Sequence, residues 1–363
     1  MFSDIELLRF HRALVETPSV SHEEGPIADW VEAQLARCGA RVERFGNNVF
    51  AAAGHGPRLL LTSHLDTVPP SSAWTRPPHV AARDNGRVYG LGSNDAKASV
   101  AAMTAAFLNV LHDGGPVECG LLLVPEEETG GKGTELAWPL LRERGWVPDG
   151  VVVGEPTGLD IAIAQKGLLV LELTTAGDAC HSANATGAKN ALRELAHDLV
   201  ALECVDLGPE HALLGRTTME PTMASAGLRR NMLPASAQAW LDLRTTPDTT
   251  PEELARRVQA QVRGQVRVHS QRLIPCACPS TASVVRAAQR ARPAAQLYGS
   301  RTMSDMVFFR DMPVLKCGPG QSNRSHTADE WVDECEVLEG AAFYSALVRA
   351  FAANRLAADG EST

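Results

Sequence analysis

The stretch Leu59–Pro70, LLLTSHLDTVPP, decides the reading of this chain. Its three uninterrupted leucines predict a strand buried on both faces, and the run breaks into a polar turn that carries His64 and Asp66. At a side-chain period of two these residues point the same way. Asp66 can then fix the tautomer of His64 and raise its basicity, as a metal ligand needs. By itself a His-x-Asp pair beside a strand is more often an ordinary polar turn, so the rest of the chain has to speak.

Two further apolar runs end alike. Gly120–Val124, GLLLV, leads into Pro125-Glu126-Glu127-Glu128-Thr129-Gly130, and Gly150–Val153, GVVV, leads into Gly154-Glu155-Pro156-Thr157. Between the first two strands lies the glycine-rich turn Gly90–Lys97, GLGSNDAK, with Asp95 just before a helical run. Open α/β sheets collect ligands beyond the carboxyl ends of their strands, so one rim gathers His64, Asp66, Asp95, Glu126 to Glu128 and Glu155. Two carboxylates roughly 4 Å apart repel by about 4 kcal/mol at an effective dielectric of 20. Such a rim holds either protons or cations, and its mixture of imidazole and carboxylate suits zinc or cobalt better than magnesium or calcium.

At 363 residues the chain is too long for one ordinary core and predicts two domains. The 44% apolar and 21% charged content is that of a soluble globular protein. A net charge of -9 without a basic block argues against nucleic acid or an anionic membrane as partner. The start MFSDIELLRF lacks the pattern of a signal peptide and no apolar run approaches a membrane span, so the expectation is a cytoplasmic protein. Eight scattered cysteines read as buried reduced thiols, and the close pair Cys276 and Cys278 as structural.

In chain order, Ser3 is expected to cap a helix to about Glu16, and Ser21 and Glu24 to form a capping box for a second that ends at Gly39. A hairpin over residues 41–53 turns at Gly46-Asn47-Asn48. Helices are predicted over residues 95–112, with Lys97 solvated in the first turn, and over 134–144, which gives βαβ logic and a largely parallel sheet. After Glu155 the pattern changes: residues 168–175 and 235–244 alternate, strands are expected near 217–228 and 266–271, and helices over 190–204 and 251–263. This describes an α+β insertion of about a hundred residues, the size of a small domain. Ser280 then caps a helix, residues 314–317 form a strand ending in the polar loop Gly318–Thr327 with His326, and a last helix runs from Glu334 to about Arg355 before fraying from Ala357.

These motifs together, SHLDTVPP, GLGSNDAKAS, PEEETGGKGT, GEPT, RNMLPASAQAWLDLR and SHTADE, resemble the dizinc deacetylase and aminopeptidase family that includes acetylornithine deacetylase, succinyl-diaminopimelate desuccinylase, aminoacylase and carboxypeptidase G2. The resemblance implies an α/β catalytic domain, residues 1–166 and 275–363, with a mixed, largely parallel sheet flanked by helices. It also implies an inserted lid and dimerisation domain, residues 167–274. Asp95 would bridge two divalent ions, zinc foremost and cobalt as the alternative; His64 and Glu155 would complete one site, Glu128 and His326 the other. Asp66 would orient His64, Glu127 would be the general base, and Glu126 would stay outside. In the insertion, His181 corresponds to an oxyanion-stabilising histidine that often reaches a partner subunit's site, and Asn231 and Arg244 to substrate-binding residues. Arg244 offers a fork for an α-carboxylate.

The segment Gly299–Asp305, GSRTMSD, with GPGQSNRSHTADE resembles acetylornithine deacetylases and related amino-group-carrier hydrolases more than aminopeptidases. The expected reaction is therefore hydrolysis of an N-acyl-L-amino acid, N-acetyl-L-ornithine first, with Asp305 receiving the substrate ammonium, in a homodimer paired through the insertion. Succinylated amino acids remain open through Arg229, Arg230, Arg301 and Arg324, as do dipeptides. The contrasting reading is an inactive relative that only binds an amino acid, which the filled ligand and base positions disfavour.

Overall fold

The computed structural model describes residues 2–360. Along the chain run α1 (Asp4–Glu16), α2 (Gly25–Arg37), β1 (Val42–Phe45), β2 (Asn48–Ala53), β3 (Arg58–His64), β4 (Ala82–Asp84), β5 (Arg87–Tyr89), α3 (Lys97–Asp113), β6 (Glu118–Val124), α4 (Lys132–Glu143), β7 (Gly150–Val153) and β8 (Ile161–Gln165). There follow β9 (Gly167–Ala176), α5 (Ala191–Ala201), β10 (Thr218–Ala226), β11 (Ser236–Thr245), α6 (Pro251–Gln261), β12 (Gln265–Leu273), β13 (Cys276–Ala277), α7 (Ser283–Ala291), β14 (Leu297–Ser300), β15 (Val314–Lys316), β16 (Trp331–Asp333) and α8 (Glu334–Gly360). The chain divides into two compact units: residues 1–163, 278–298 and 304–363, and residues 164–277 and 299–303.

The first unit is α/β. Its sheet has the order β1-β2-β6-β3-β7-β15-β8, in which β6, β3, β7 and β15 are parallel and the flanking strands antiparallel. The organising strand sits between β6 and β7, with Leu61 opposite Leu121 on one side and Val152 on the other. All three leucines are fully buried: Leu59 and Leu61 join the core that α3 and α8 complete, while Leu60 lies beside Gly120 and the Trp146 indole. A Cβ on Gly120 would stand 2.3 Å from that ring, which is why β6 carries a glycine there. Helix α3 is alanine-rich and buried on nearly every side, so it reads as apolar all round rather than amphipathic.

The second unit is an antiparallel sheet of order β10-β11-β9-β12 with α5 and α6 on one face. The alternation seen in the sequence is the burial pattern: Leu169, Leu171, Leu173, Ala237, Ala239, Leu241 and Leu243 meet Leu195, Leu254 and Val258 of the helices.

Several local expectations need correction. Ser3 and Glu6 do form a reciprocal capping box on α1. Ser21 and Glu24 do not: α2 starts at Gly25 without a side-chain cap, because both side chains are drawn into tertiary bonds described below. Nor does Ser280 cap α7, which begins at Ser283 after Ala282. Helix α8 stays helical to Gly360, beyond the expected fraying point at Ala357; residues 361–363 lie outside the described residues. All eight cysteines are free, but Cys204 and Cys335 are exposed rather than buried. No helix among the described residues is long and apolar enough to cross a membrane.

Candidate active site

The register of the parallel strands aligns their carboxyl ends, and the site is built on that rim. His64 is the last residue of β3 and pairs with Val124, so the loop after β6 starts level with it. Glu155 follows β7 by two residues, Asp95 sits two residues before α3, and His326 is on the loop after β15. The chain crosses from β6 to β7 past β3, so the loops after β6 and β7 leave on opposite sides of β3.

Asp95 is the centre of the arrangement. Its Oδ1 lies 3.3 Å from His64 Nε2 and its Oδ2 lies 3.7 Å from His326 Nε2, so its two oxygens serve two different imidazoles. Glu155 approaches His64 Nε2 at 4.0 Å, and Glu128 approaches His326 Nε2 at 3.0 Å. Donor atoms of His64, Glu127 and Glu155, and of His64, Asp95 and Glu128, lie within 4.8 Å of one another. Donors around a tetrahedral ion with bonds of roughly 2.0–2.1 Å stand about 3.3 Å apart, so the spacing of His64 and Asp95 fits a shared ion; His64 is common to both groups, and His326 joins the cluster through Asp95 and Glu128. The donor set, two imidazoles and several carboxylates, fits zinc-type chemistry as well.

Electrostatics agree. Burial, together with the Asp95 and Glu128 charges, pushes Glu155 up to about 8 against the pull of His64 and Lys316. Burial and then Glu155 raise Glu127 well above the ordinary carboxyl range. Burial disfavours a charged His64, yet the Asp66 and Asp95 carboxylates hold it well above the usual imidazole value. The bond to Glu128 raises His326 to about 9 despite partial burial. Without a cation these shifts favour protonated forms of Glu127 and Glu155. A metal held by these groups would displace protons, since imidazoles bind as neutral groups and carboxylates as anions. Zinc affinity is accordingly expected to be weakest on the acid side and to rise from pH 6 to 8, roughly tenfold per unit for each proton displaced. Calorimetry in buffers of different ionisation enthalpy measures the protons; an affinity independent of pH would contradict this.

Asp66 has a wider task than orienting His64. His64 Nδ1 lies 2.9 Å from the Asp66 carbonyl oxygen and 3.4 Å from its carboxylate, which places the ring proton on Nδ1 and leaves Nε2 for the site. The Asp66 carboxylate also accepts from the backbone N–H groups of Glu127 and Glu128 at 3.1 and 3.2 Å and from Ser21 Oγ at 2.7 Å. Glu24 holds the next N–H, that of Glu126, at 3.1 Å. Glu126 itself turns away toward His22, 3.4 Å distant.

One expectation changes here, and two further residues have partners within the protein. Lys97 is not solvated: it is 1% exposed, its ammonium donates to the Thr17 carbonyl at 3.1 Å, and burial pulls its pKa down to about 7. Asp305 is 3% exposed and its Oδ2 accepts from Thr134 in the first turn of α4 at 2.5 Å, so it anchors the glutamate loop's helix. Arg324 is committed to Glu336 at 2.6 Å and stacks on Trp331.

In the second unit His181 and Asn231 are neighbours, since Ser182 N–H donates to the Asn231 carbonyl at 2.9 Å. His181 Nδ1 accepts from Ala183 N–H at 3.2 Å, which puts the proton of the neutral ring on Nε2. Arg244, on β11, makes a two-point pair with Asp242 at 2.9 and 3.2 Å. The sequence assigns no site role to Glu330, Glu24 or Ser21: the first lies in the SHTADE motif, and the other two have the spacing of a capping box.

A mixed sheet that brings His64, Asp95, Glu127, Glu128 and Glu155 together beyond its parallel strand ends is suited to metal-dependent hydrolysis. The chain belongs to peptidase family M20/M25/M40, whose model matches residues 60–350. A probable carboxypeptidase of Aspergillus terreus is 35% identical over 301 residues, 74% of this chain and 68% of that one. Among solved structures, an M20 family metallo-carboxypeptidase from Sulfolobus solfataricus shares the fold with a TM-score of 0.75 at 20% identity, over 96% of this chain and 99% of that one. A dinuclear metal-binding M20 peptidase from Bacillus subtilis does so with a TM-score of 0.72 at 15% identity, over 95% and 97%.

Proposed function

We propose that this protein hydrolyses the amide bond of a small substrate whose amine half is an amino acid with a free α-carboxylate. The observation that carries the reading is the division of Asp95 between His64 and His326, the geometry of a carboxylate shared by two ions. In this reading His64, Asp95 and Glu155 hold one divalent ion and Asp95, Glu128 and His326 the other, zinc foremost. Bound there, the ions supply Lewis acidity for the amide carbonyl and make water acidic enough to be deprotonated near neutral pH.

Glu127 is the general base. Beside bound cations its carboxylate takes a proton from the attacking water and returns it to the leaving amine nitrogen. Asp66 fixes its backbone through the bond from Glu127 N–H. His181, with its proton on Nε2, is suited to donate to the oxygen that gains charge as the carbonyl carbon becomes tetrahedral. Arg244 has its Nε and Nη2 edge on Asp242, leaving Nη1 to meet the substrate carboxylate with Asn231.

Two substrate types meet this description. N-Acetyl-L-ornithine is supported by the sequence motifs, with Asp305, whose carboxylate also takes the Thr134 hydroxyl, proposed to meet its ammonium. A peptide cleaved at its C-terminal residue is favoured by the relative named a probable carboxypeptidase. Pairing of two copies through the second unit is supported by β10, a nine-residue edge strand that is almost wholly exposed, with Met223 at 66%, and by Leu228 just beyond its end at 93%. Initial rates on N-acetyl-L-ornithine, N-succinyl-L-ornithine and an alanyl dipeptide, each beside its α-carboxamide, test the reading. We expect the free acids to be cleaved at least tenfold faster than the amides; equal rates would refute the carboxylate requirement.

A further inference from the structure

The SHTADE motif ends in Glu330, a residue with no place in the proposed ligand set. It is 2% exposed, and both its oxygens are engaged by the loop that carries Asp95. Oε2 accepts from Gly92 N–H at 2.8 Å, and Oε1 accepts from Asn94 and Asp95 N–H at 2.9 and 2.8 Å. Its backbone carbonyl takes a fourth bond, from Gly90 N–H at 2.9 Å. Three converging donors require a group that only accepts, with both oxygens available, which is what a carboxylate provides and an amide does not.

The same few residues also fix His326. Asp329 pins the segment from its other side, accepting from Thr75 and Arg76 N–H at 2.9 Å each. Asn94 binds back to Gln321, accepting from its N–H at 2.8 Å and donating to its carbonyl at 3.1 Å. The Asp95 loop and the His326 loop are therefore joined chiefly through Glu330 and Asn94. His64 needs no such device, because it ends a central strand, and Glu155 follows the adjacent one.

We propose that Glu330 is a positioning residue that sets the distance between Asp95 and His326, and so governs the metal site of Asp95, Glu128 and His326 more than that of His64, Asp95 and Glu155, where two of the three ligands are set by the central strands. The proposal rests on the dinuclear reading above. Partners of this kind change metal affinity by roughly 10–100-fold when removed.

The test is titration of metal-free full-length protein with cobalt(II), followed by visible absorption and by calorimetry, for wild type and Glu330→Gln. We expect two equivalents in wild type. In the variant the first should bind within threefold of wild type, while the second weakens at least tenfold with an altered spectrum. Two equivalents bound identically by both proteins, or both equivalents weakened alike, would overturn the inference. Should Glu330→Gln fail to fold by circular dichroism, Glu330→Asp, which keeps both oxygens on a shorter arm, is judged by the same two criteria. Wild type that binds fewer than two equivalents would instead refute the dinuclear reading itself.

Discussion

Glu127→Gln is expected to lower kcat by roughly 10²–10⁴-fold, the range for loss of a general acid–base group, while two equivalents of metal stay bound. The substitution keeps the shape of the side chain and the bond from Glu127 N–H to Asp66, so the loop remains in place. What is lost is a group able to take and return a proton. Buried beside Glu155, Glu127 has its pKa raised, which brings a carboxyl closer to the working pH of such chemistry. KM should move little, because the residue has no assigned part in binding the substrate carboxylate. A variant with full kcat and full metal content would remove Glu127 from the mechanism.

Asp95→Asn should have an effect of similar size by another route. The aspartate lies between both imidazoles, and the amide that replaces it has one oxygen where two are needed. Stoichiometry should fall from two equivalents to at most one, and the rate by about a hundredfold or more, the scale of removing a principal electrostatic stabiliser. Restoration by excess metal should be incomplete, since the missing oxygen is not a matter of affinity alone. Emission spectrometry on desalted protein gives the stoichiometry. Two retained equivalents would contradict the bridging role.

How far the sequence reaches depends on whether the deciding interactions are local. Leu59 to Leu61 announce a buried parallel strand because burial on both faces removes polar residues, and the motifs after the strands announce a rim because strand ends converge in this architecture. The alternation of β9 and β11 likewise reports a half-buried antiparallel sheet directly. Ser21 and Glu24 mislead because their spacing is that of a capping box, whereas Asp66, 45 residues from Ser21, is the stronger competitor for the hydroxyl. Lys97 misleads because a first-turn lysine is ordinarily solvated; only the packing of α3 within the core buries it. The bond between Asp305 and Thr134 spans 171 residues, and nothing near either residue signals it. Arg244 is an intermediate case: its pairing with Asp242 follows from their shared strand face, but the choice between that ion pair and a substrate is not a property of the strand alone.

The proposed chemistry needs two cations held by His64, Asp95, Glu128, Glu155 and His326. Its most direct test is the rate of amide hydrolysis by exhaustively chelated protein, followed as zinc is added back. We expect no measurable rate without metal and a rise that levels off only at two equivalents; undiminished hydrolysis by the metal-free protein would contradict the two-cation site.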